Sequence, residues 1–242
     1  MPEFLRPDWQ LPANVRAAMT TRRGGESRGV YASLNLAAHV GDDAAAVAAN
    51  RRRLREMLEL PAEPVWLEQV HGTTVALLPG IDPGPADAAV TFTPGHVCAV
   101  LVADCLPVLL ASRAGDRVGV AHAGWRGLAD GVVEATFAAL DCEPESLVAW
   151  LGPSIGPDAF EVGGDVREAF LDRDAGAAGA FRAGRAGSYH ADLPALARRR
   201  LAALGIHDVR GGGLCTHADP ARFYSYRRDG VTGRMAALAW LA

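Results

Sequence analysis

Residues 97–111 read VCAVLVADCLPVLLA, a long apolar stretch interrupted by one polar turn that contains a cysteine. The six apolar residues Val97–Val102 have the length of a strand and predict one that is buried on both faces. The segments Val108–Ala111 and Arg117–Ala121 are predicted to be its neighbours. At Asp104-Cys105 the chain passes from a rigid strand to a surface loop, which is a common place for chemistry.

Two histidines stand in comparable positions. His71 lies in Glu68-Gln69-Val70-His71-Gly72, and His122 lies in Ala121-His122-Ala123-Gly124-Trp125-Arg126-Gly127. With Cys105 they make a set of two imidazoles and one thiolate, which suits Zn²⁺ and leaves a fourth position open. Their spacing matches no compact zinc-finger pattern. Spacing alone leaves open a simpler reading, in which Cys105 is a small buried apolar residue and the histidines are loop residues.

Periodicity and turn residues predict elements along the rest of the chain. Asp42-Asp43 is a candidate N-cap for a helix, and Gly205 is a candidate stop signal for another. The small residues of Gly176–Gly187 favour a flexible loop. The predicted helices are Ala44–Leu60, Gly127–Leu140 (with Val132, Val133, Thr136, Phe137 and Leu140 facing inward), Asp165–Leu171 and Leu193–Leu204. The predicted strands are Val65–Val70, Thr74–Leu78, Leu147–Leu151 and Met235–Leu241, and Pro79–Pro85 is a predicted turn.

Composition limits the classes of function. The 242 residues, half of them hydrophobic, favour a single domain over residues 1–242 with a substantial core. A net charge of −4 gives no sign of nucleic-acid binding, and no apolar stretch is long enough to cross a membrane. All 24 basic residues are arginines, which excludes a lysine Schiff base. The N-terminus lacks the pattern of a signal peptide, so we expect a cytoplasmic protein whose four cysteines are reduced.

The order of several motifs resembles the YfiH-type laccase-domain family, which is described both as polyphenol oxidases and as purine nucleoside phosphorylases. The resemblance covers almost the whole chain. Its most specific strings are His122-Ala123-Gly124-Trp125-Arg126-Gly127 and Ser225-Tyr226-Arg227-Arg228-Asp229. The other matching strings are Ser33-Leu34-Asn35-Leu36, His39-Val40-Gly41-Asp42-Asp43, Gln69-Val70-His71-Gly72, Ala86-Asp87-Ala88-Ala89-Val90-Thr91, Ala103-Asp104-Cys105-Leu106-Pro107, Leu151-Gly152-Pro153-Ser154-Ile155, Phe160-Glu161-Val162-Gly163 and Cys215-Thr216.

The resemblance implies an α+β fold in which mixed β-sheets pack together with helices on the outside. It also implies that His71, Cys105 and His122 correspond to the zinc ligands of the family. The stretch Asp174–Gly187 is the least typical, and we transfer no function to it.

Residues beside the three candidate ligands are further candidates. Asp104 either orients a ligand imidazole or caps its own turn. Trp125 is either core packing or an aromatic plane for a flat substrate, whereas Arg126 offers a forked donor for an anion. The alternative partner of Arg126 is an acid such as Asp130, one helical turn further on.

A second group of candidates lies near the C-terminus. Tyr226 and Arg227 are candidate substrate contacts, and we expect at most one of the adjacent Arg227 and Arg228 to face the site. Weaker candidates, more typical of hydrogen-bonded structural groups, are His39, Cys215 and His217. Cys98 and Cys142 are predicted to be buried thiols.

The function implied by the resemblance is zinc-dependent phosphorolysis of adenosine or inosine to the base and ribose 1-phosphate, with deamination of adenosine as a second reaction. The partners would then be a purine nucleoside and phosphate, with no nucleic acid and no membrane, and the protein a monomer or small homo-oligomer. Three alternatives stay open. They are a copper-dependent polyphenol oxidase, a cysteine hydrolase that uses Cys105 and acts in peptidoglycan precursor editing, and a non-catalytic binding module stabilised by a metal with four protein ligands.

Overall fold

The computed structural model describes residues 3–80 and 84–242, and its strands and helices alternate irregularly along the chain. The strands are β1 Phe4–Leu5, β2 Val15–Thr20, β3 Val65–Trp66, β4 Val75–Leu78, β5 Ala88–Thr91, β6 Val97–Val102, β7 Leu106–Ser112, β8 Val118–Ala123, β9 Leu147–Leu151, β10 Glu161–Val162, β11 Phe181–Ala183, β12 Tyr189–Ala191, β13 Val209–Gly211 and β14 Met235–Leu241. The helices are α1 Ala44–Leu58, α2 Trp125–Asp130, α3 Val132–Leu140, α4 Gly164–Leu171, α5 Leu193–Ala203 and α6 Tyr226–Asp229, and short 3₁₀ turns cover Gly29–Tyr31, Pro144–Ser146 and Ala175–Ala180.

Within the described ranges the strands form two large mixed sheets and one small one. The first large sheet has the order β1-β2-β14-β6-β3, and the second has the order β13-β9-β7-β8-β5-β4. The pairs β3–β6, β4–β5 and β9–β13 are parallel, whereas the other pairs in these two sheets are antiparallel. The small sheet has the order β10-β12-β11.

The two large sheets pack face to face over a shared apolar core. Met19, Val100 and Ala237 of the first sheet are buried in one cluster with Leu109 and Val120 of the second. Because both faces of these strands are covered, β6 and β14 are apolar throughout and every residue in them is buried.

Helices cover the outer faces of the sandwich. Helix α1 begins after Asp43, whose carboxylate accepts hydrogen bonds from the backbone of Ala45 and Ala46, and its Leu54 packs on the outer face of the first sheet. Helices α2–α5 contribute to the apolar cluster on the outer face of the second sheet. The expected α+β fold of packed mixed sheets with outer helices is therefore confirmed.

Three details differ from the expectations. Segments β7 and β8 are not neighbours of β6, because the turn around Cys105 carries the chain from the first sheet to the second; β6 pairs instead with β14 and β3. The helix expected over residues 127–140 begins at Trp125 and is broken at Gly131, where φ is +106°. Phe137 in its second half is only half-buried.

The stretch 176–187 is not a featureless loop. Its first residues form a 3₁₀ turn, and Phe181–Ala183 pairs with β12. The side chains of Ala177 and Ala180 are buried in the cluster that also contains Phe170 and Leu196. Small residues therefore mark close packing here rather than mobility.

The strand expected over residues 65–70 ends at Trp66. Gln69 explains the early end, since its side-chain amide accepts from the backbone of Leu101 at 2.7 Å and donates to the carbonyl of the same residue at 2.9 Å. The side chain thus takes the place that a continuing strand would occupy beside β6. Of the expected turn at 79–85, residues 81–83 lie outside the described residues, as do residues 1 and 2 of the N-terminus. In the part of the chain that is described, no helix has the length and apolar character needed to cross a membrane.

Candidate metal centre

The register of the second sheet brings together residues that are far apart in sequence. In the β5–β8 pair Ala88 lies opposite Ala121, so Asp87 comes opposite His122, and the backbone N–H of His122 donates to the Asp87 carbonyl at 2.7 Å. In the β7–β8 pair Leu106 lies opposite Ala123, which places Cys105 beside Gly124. One end of three adjacent strands therefore carries a carboxylate, an imidazole and a thiol.

The third ligand candidate comes from the loop before β4. His71 has a left-handed backbone with φ of +61°, and its Nε2 lies 3.8 Å from the Sγ of Cys105. Its ring meets that of His122 edge to face with centroids 4.8 Å apart. One donor atom from each of His71, Cys105 and His122 lies within 4.8 Å of the others, so these three residues form a possible metal site.

The donor set and its surroundings fit a metal ion. Two imidazole nitrogens and a thiolate sulfur suit zinc or copper, whereas magnesium and calcium prefer oxygen. A Cβ atom on Gly124 would lie 2.9 Å from the His71 ring and 3.0 Å from the Cys105 sulfur, so only glycine lets the backbone pass this close to the donors.

Asp87 orients both histidines. Its buried carboxylate accepts hydrogen bonds from the backbone N–H groups of Val70, His71 and Gly72 at 2.7–3.1 Å, and it lies 2.8 Å from Nδ1 of His122. With Nδ1 committed to Asp87, Nε2 of His122 is the nitrogen left for a metal. The same carboxylate thus fixes the loop that carries one ligand and the ring of another.

Asp87→Asn should weaken zinc binding by about 10- to 100-fold, the usual effect of removing a carboxylate behind a ligand histidine. The amide would turn one of its acceptor oxygens into a donor that faces backbone N–H groups. Competition with a chromophoric chelator measures the affinity, and Asp174→Asn, at a carboxylate outside the site that accepts from Gly176 and Arg199, is the control. Unchanged affinity in Asp87→Asn would show that the carboxylate does not support the ligands.

The cysteine and the buried histidine shift each other's pKa values. Burial alone raises the pKa of the Cys105 thiol, but the charge of His122 and hydrogen bonds from His122 and His71 lower it to about 6. Burial lowers the pKa of His122, but the charge of Cys105 and the hydrogen bond to Asp87 raise it to about 9. Without a metal, the pair is a thiolate and an imidazolium over the neutral pH range.

These pKa values set the pH dependence of metal binding. A metal needs His122 neutral, so between the Cys105 pKa of about 6 and the His122 pKa of about 9 binding releases the His122 proton, which alone raises the affinity about tenfold per pH unit. Below that window Cys105 must also lose its proton, so affinity falls more steeply as the pH drops. Zinc titrations in buffers of different ionisation enthalpy count the released protons. An affinity independent of pH across this window would contradict the proton assignment.

A cavity of about 460 Å³ opens beside the three ligand candidates. Its volume lies within the range of small-molecule sites. Besides the three ligand candidates it is lined by Arg126 and Tyr226, which the sequence suggested, and by His39, Gln69, Leu101, Ala103 and Arg234. We call this space the metal-side cavity.

Arg126 and Tyr226 are placed to meet a bound molecule. Tyr226 is 61% exposed, and the Arg126 guanidinium lies 4.4 Å from the centroid of the Trp125 ring. Asp130, the acid considered as a structural partner for Arg126, pairs instead with Arg173 at 3.6 Å. No carboxylate of the described residues lies within ion-pair distance of Arg126.

Trp125 and Arg227 do not line this cavity. Trp125 is half-buried and packs on the core cluster of the second sheet. The Arg227 guanidinium donates to the carbonyl of Glu161 at 2.9 Å and lies over the Phe160 ring. Arg228 is held by Asp229 and by backbone carbonyls, so neither arginine of this pair faces the ligands.

Asp104 holds its own turn and the start of α6, which carries Tyr226, rather than an imidazole. Its carboxylate accepts from the hydroxyls of Thr216 at 2.6 Å and Ser225 at 2.9 Å, and from the backbone N–H of Arg227 at 2.7 Å. It has a left-handed backbone with φ of +89° directly before Cys105. Asp104 therefore links the position of Cys105 to that of Tyr226, while Asp87 orients the ring.

Three residues of the site were not identified from the sequence as functional. Asp87 had a signal, since a single acid at the start of an apolar strand must be paired if it is buried. Gln69 stands in a string that resembles the family, two residues before His71, whereas Arg234 had no signal because its proximity to the ligands depends on the packing of the first sheet against the second.

The weaker candidates lie in different places. His39 lines the metal-side cavity, whereas Cys215 and His217 line a separate, mostly apolar cavity of about 620 Å³. Sγ of Cys215 accepts the backbone N–H of Gly156 at 3.1 Å. Cys98 is fully buried as expected, but Cys142 is only half-buried.

Known proteins similar to this chain carry two different functional descriptions. Residues 16–242 match the family described as multi-copper polyphenol oxidoreductase laccase. A purine nucleoside phosphorylase of Pseudomonas aeruginosa is 54% identical over 100% of this chain and 99% of its own. The Escherichia coli purine nucleoside phosphorylase YfiH is 51% identical, with all of both chains covered. The crystal structure of a Neisseria meningitidis protein superposes with a TM-score of 0.93 at 49% identity, covering 98% of each chain.

Proposed function

This chain belongs to the multi-copper polyphenol oxidoreductase laccase family, and we propose, from the activity for which its full-length relatives are named, that it is a zinc-dependent purine nucleoside phosphorylase. In the reaction a phosphate oxygen forms a bond to C1′ of the ribose while the bond from C1′ to the base nitrogen breaks. The electron pair of that bond leaves with the base, which takes up a proton. Adenosine or inosine plus phosphate thus becomes the base and ribose 1-phosphate.

The observation that carries the proposal is identity over the full length to relatives named for this activity. The identities are 54% and 51%, and they extend over the full length of this chain and 99–100% of the relatives, which supports a shared activity. Fold likeness alone would be a weaker argument, because one fold hosts many functions.

The metal-side cavity offers contacts for both the purine nucleoside and the phosphate. Tyr226 offers an exposed ring on which a purine can stack. Arg126 offers a forked donor that matches phosphate geometry and has no carboxylate partner among the described residues. Among the described residues no aspartate or glutamate lines the cavity, so an anion would meet no carboxylate on its walls, and a bound zinc ion would neutralise the Cys105 thiolate.

His71, Cys105 and His122 would hold the zinc ion. Bound there, zinc would act as a Lewis acid beside the substrates. Asp87 keeps the His122 ring in one orientation, and Gly124 leaves room for the donors. Asp104 holds the start of α6 near the three ligand candidates through Ser225 and the backbone of Arg227. The Tyr226 ring, which would contact the base, is therefore kept close to the metal site.

A copper-dependent oxidation of phenols is the second candidate, and the description of the family favours it. The arrangement of methionines argues against a blue-copper site, which adds a weak axial Met to two His and one Cys. Met19 and Met235 are buried in the core between the sheets, and neither they nor Met57 line the metal-side cavity. Elemental analysis of the purified protein separates the two metals.

A direct assay tests the proposal. Incubation of the zinc-loaded protein with adenosine and phosphate should release adenine, and incubation with inosine should release hypoxanthine. Appearance of inosine from adenosine would reveal the deaminase reaction that the resemblance implies. Absence of phosphate-dependent base release from purine nucleosides would refute the proposal, and activity without metal that depends on Cys105 would favour a cysteine hydrolase.

A further inference from the structure

The metal-side cavity contains a second guanidinium besides that of Arg126. Arg234, directly before β14, lies on its wall, and the guanidinium is 5.7 Å from the centroid of the Tyr226 ring. No motif in the sequence singled it out. Its backbone is fixed on both sides, because its N–H donates to the side chain of Asn35 at 2.9 Å and its carbonyl accepts the N–H of Leu36.

Only one nitrogen of the Arg234 guanidinium, Nη1, donates hydrogen bonds to described residues of the protein. Its Nη1 donates to the carbonyls of Thr232 at 2.9 Å and Gly233 at 3.1 Å. Its Nε and Nη2 groups, which form one straight donor edge, have no hydrogen-bond acceptor among the described residues. The two carbonyls hold the plane of the guanidinium, so the open edge is presented in a fixed orientation.

The positive charge of Arg234 also has no ion-pair partner among the described residues. No carboxylate of the described residues lies within 4.0 Å of it, although the side chain is partly buried. Burial lowers the pKa of Arg234, and the negative charges of Cys105 and Asp104 oppose this only in part. Removing a cation from water without a paired anion is unfavourable, and a bound anion would relieve this.

The positive charge of the cavity comes from its arginines. His39 also lines the cavity, but burial and then the charges of Arg234 and Arg51 lower its pKa, which disfavours its charged form. Arg126, four residues after His122 in sequence, lines the cavity as well. An anion in this space would meet two guanidinium groups and, within the described part of the chain, no carboxylate.

We propose that Arg234 binds the phosphate co-substrate through its open Nε–Nη2 edge, and that Arg126 contacts the same phosphate. The inference rests on the proposed function and adds to it the residue that recognises phosphate. The nucleoside then occupies the part of the cavity beside Tyr226.

Arg234→Lys and Arg234→Met test this assignment. Lysine keeps the charge but loses the paired donors, and methionine loses both. We expect the KM for phosphate to rise about 10-fold in the lysine variant and about 100-fold in the methionine variant, as charge-assisted hydrogen bonds are lost. The KM for nucleoside should stay within about twofold, because the base contacts are unchanged.

Arg51→Lys is the matched control. Arg51 is also an arginine whose guanidinium donates to a backbone carbonyl, that of Leu36 at 2.9 Å, and lies over an aromatic ring, that of Trp66. It does not line the cavity, so its variant should keep the KM for phosphate.

A second measurement does not depend on turnover. Inorganic phosphate should raise the melting temperature of the zinc-loaded wild type and of Arg51→Lys, and should have little effect on Arg234→Met. Equal protection of Arg234→Met, or an unchanged KM for phosphate in both Arg234 variants, would overturn the assignment. A parallel rise of both KM values would indicate a structural role and would overturn it too. If the wild type releases no base but phosphate protects it through Arg234, the proposed function fails while the anion site stands.

Discussion

Cys105→Ala is expected to abolish stoichiometric zinc binding. Structural zinc sites with four ligands bind with on the order of 10–16 kcal/mol, so the loss of one thiolate should remove about 3–5 kcal/mol. That corresponds to roughly a 10²- to 10⁴-fold lower affinity. Purified wild type should contain about one zinc per chain and the variant little, as measured by elemental analysis after dialysis.

Catalysis should be lost with the metal. The fold should persist, because Cys105 is only half-buried and the removed sulfur faces the other donors. Cys142→Ala is the control, since it also removes a half-buried thiol but far along the chain in the turn after α3. Undiminished zinc in Cys105→Ala would contradict the ligand assignment, and stoichiometric copper in the wild type would favour the oxidase.

Arg126→Lys should fold and bind zinc normally but turn over about 30- to 1,000-fold more slowly. A guanidinium can contact a phosphate or a developing negative charge through two parallel hydrogen bonds, which an ammonium cannot reproduce. Loss of such a contact in a catalytic site costs about 2–4 kcal/mol. The structure favours this role, because Arg126 lines the cavity and Asp130 is paired with Arg173.

Steady-state kinetics and thermal melting separate the two roles of Arg126. Arg173→Lys alters the ion pair with Asp130 outside the cavity and should keep its turnover. If Arg126→Lys melts earlier yet keeps most of its activity per folded molecule, Arg126 is a structural residue instead.

The local pattern of the sequence was sufficient for many elements. The continuous apolar runs of β6, β9 and β14 could be recognised because strands between two sheets need apolar residues on both faces. The cap at Asp43 and the stop at Gly205 were correct because capping depends on neighbouring residues alone.

Errors arose where distant packing decides the local structure. The stretch Gly176–Gly187 looks mobile from its small side chains, yet Ala177 and Ala180 are buried against neighbouring elements. The sequence predicts the wrong neighbours for strand β6, because an apolar run does not indicate to which sheet the chain passes after the turn at Cys105. Gly131 breaks the α2–α3 region through a backbone conformation that its neighbours in sequence do not reveal.

In the candidate site, too, local sequence patterns identify some residues, whereas others are identified only by the packing of the fold. The three ligand candidates could be found because each stands at the end of an apolar run in a motif that resembles a known family. The role of Asp87 depends on the register between β5 and β8, and that of Arg234 on the position of the last strand. Neither relation is visible in a linear sequence, so the supporting carboxylate and the second guanidinium needed the structure.

The central claim is that this metal site supports phosphorolysis of a purine nucleoside. Phosphorus NMR of a reaction with adenosine and inorganic phosphate tests it most directly. We expect ribose 1-phosphate in equal amount to the adenine released, with both products lost after removal of zinc by a chelator and restored when zinc is added back. Adenine release with free ribose as the only sugar product, or product formation that persists in metal-free protein, would contradict the account.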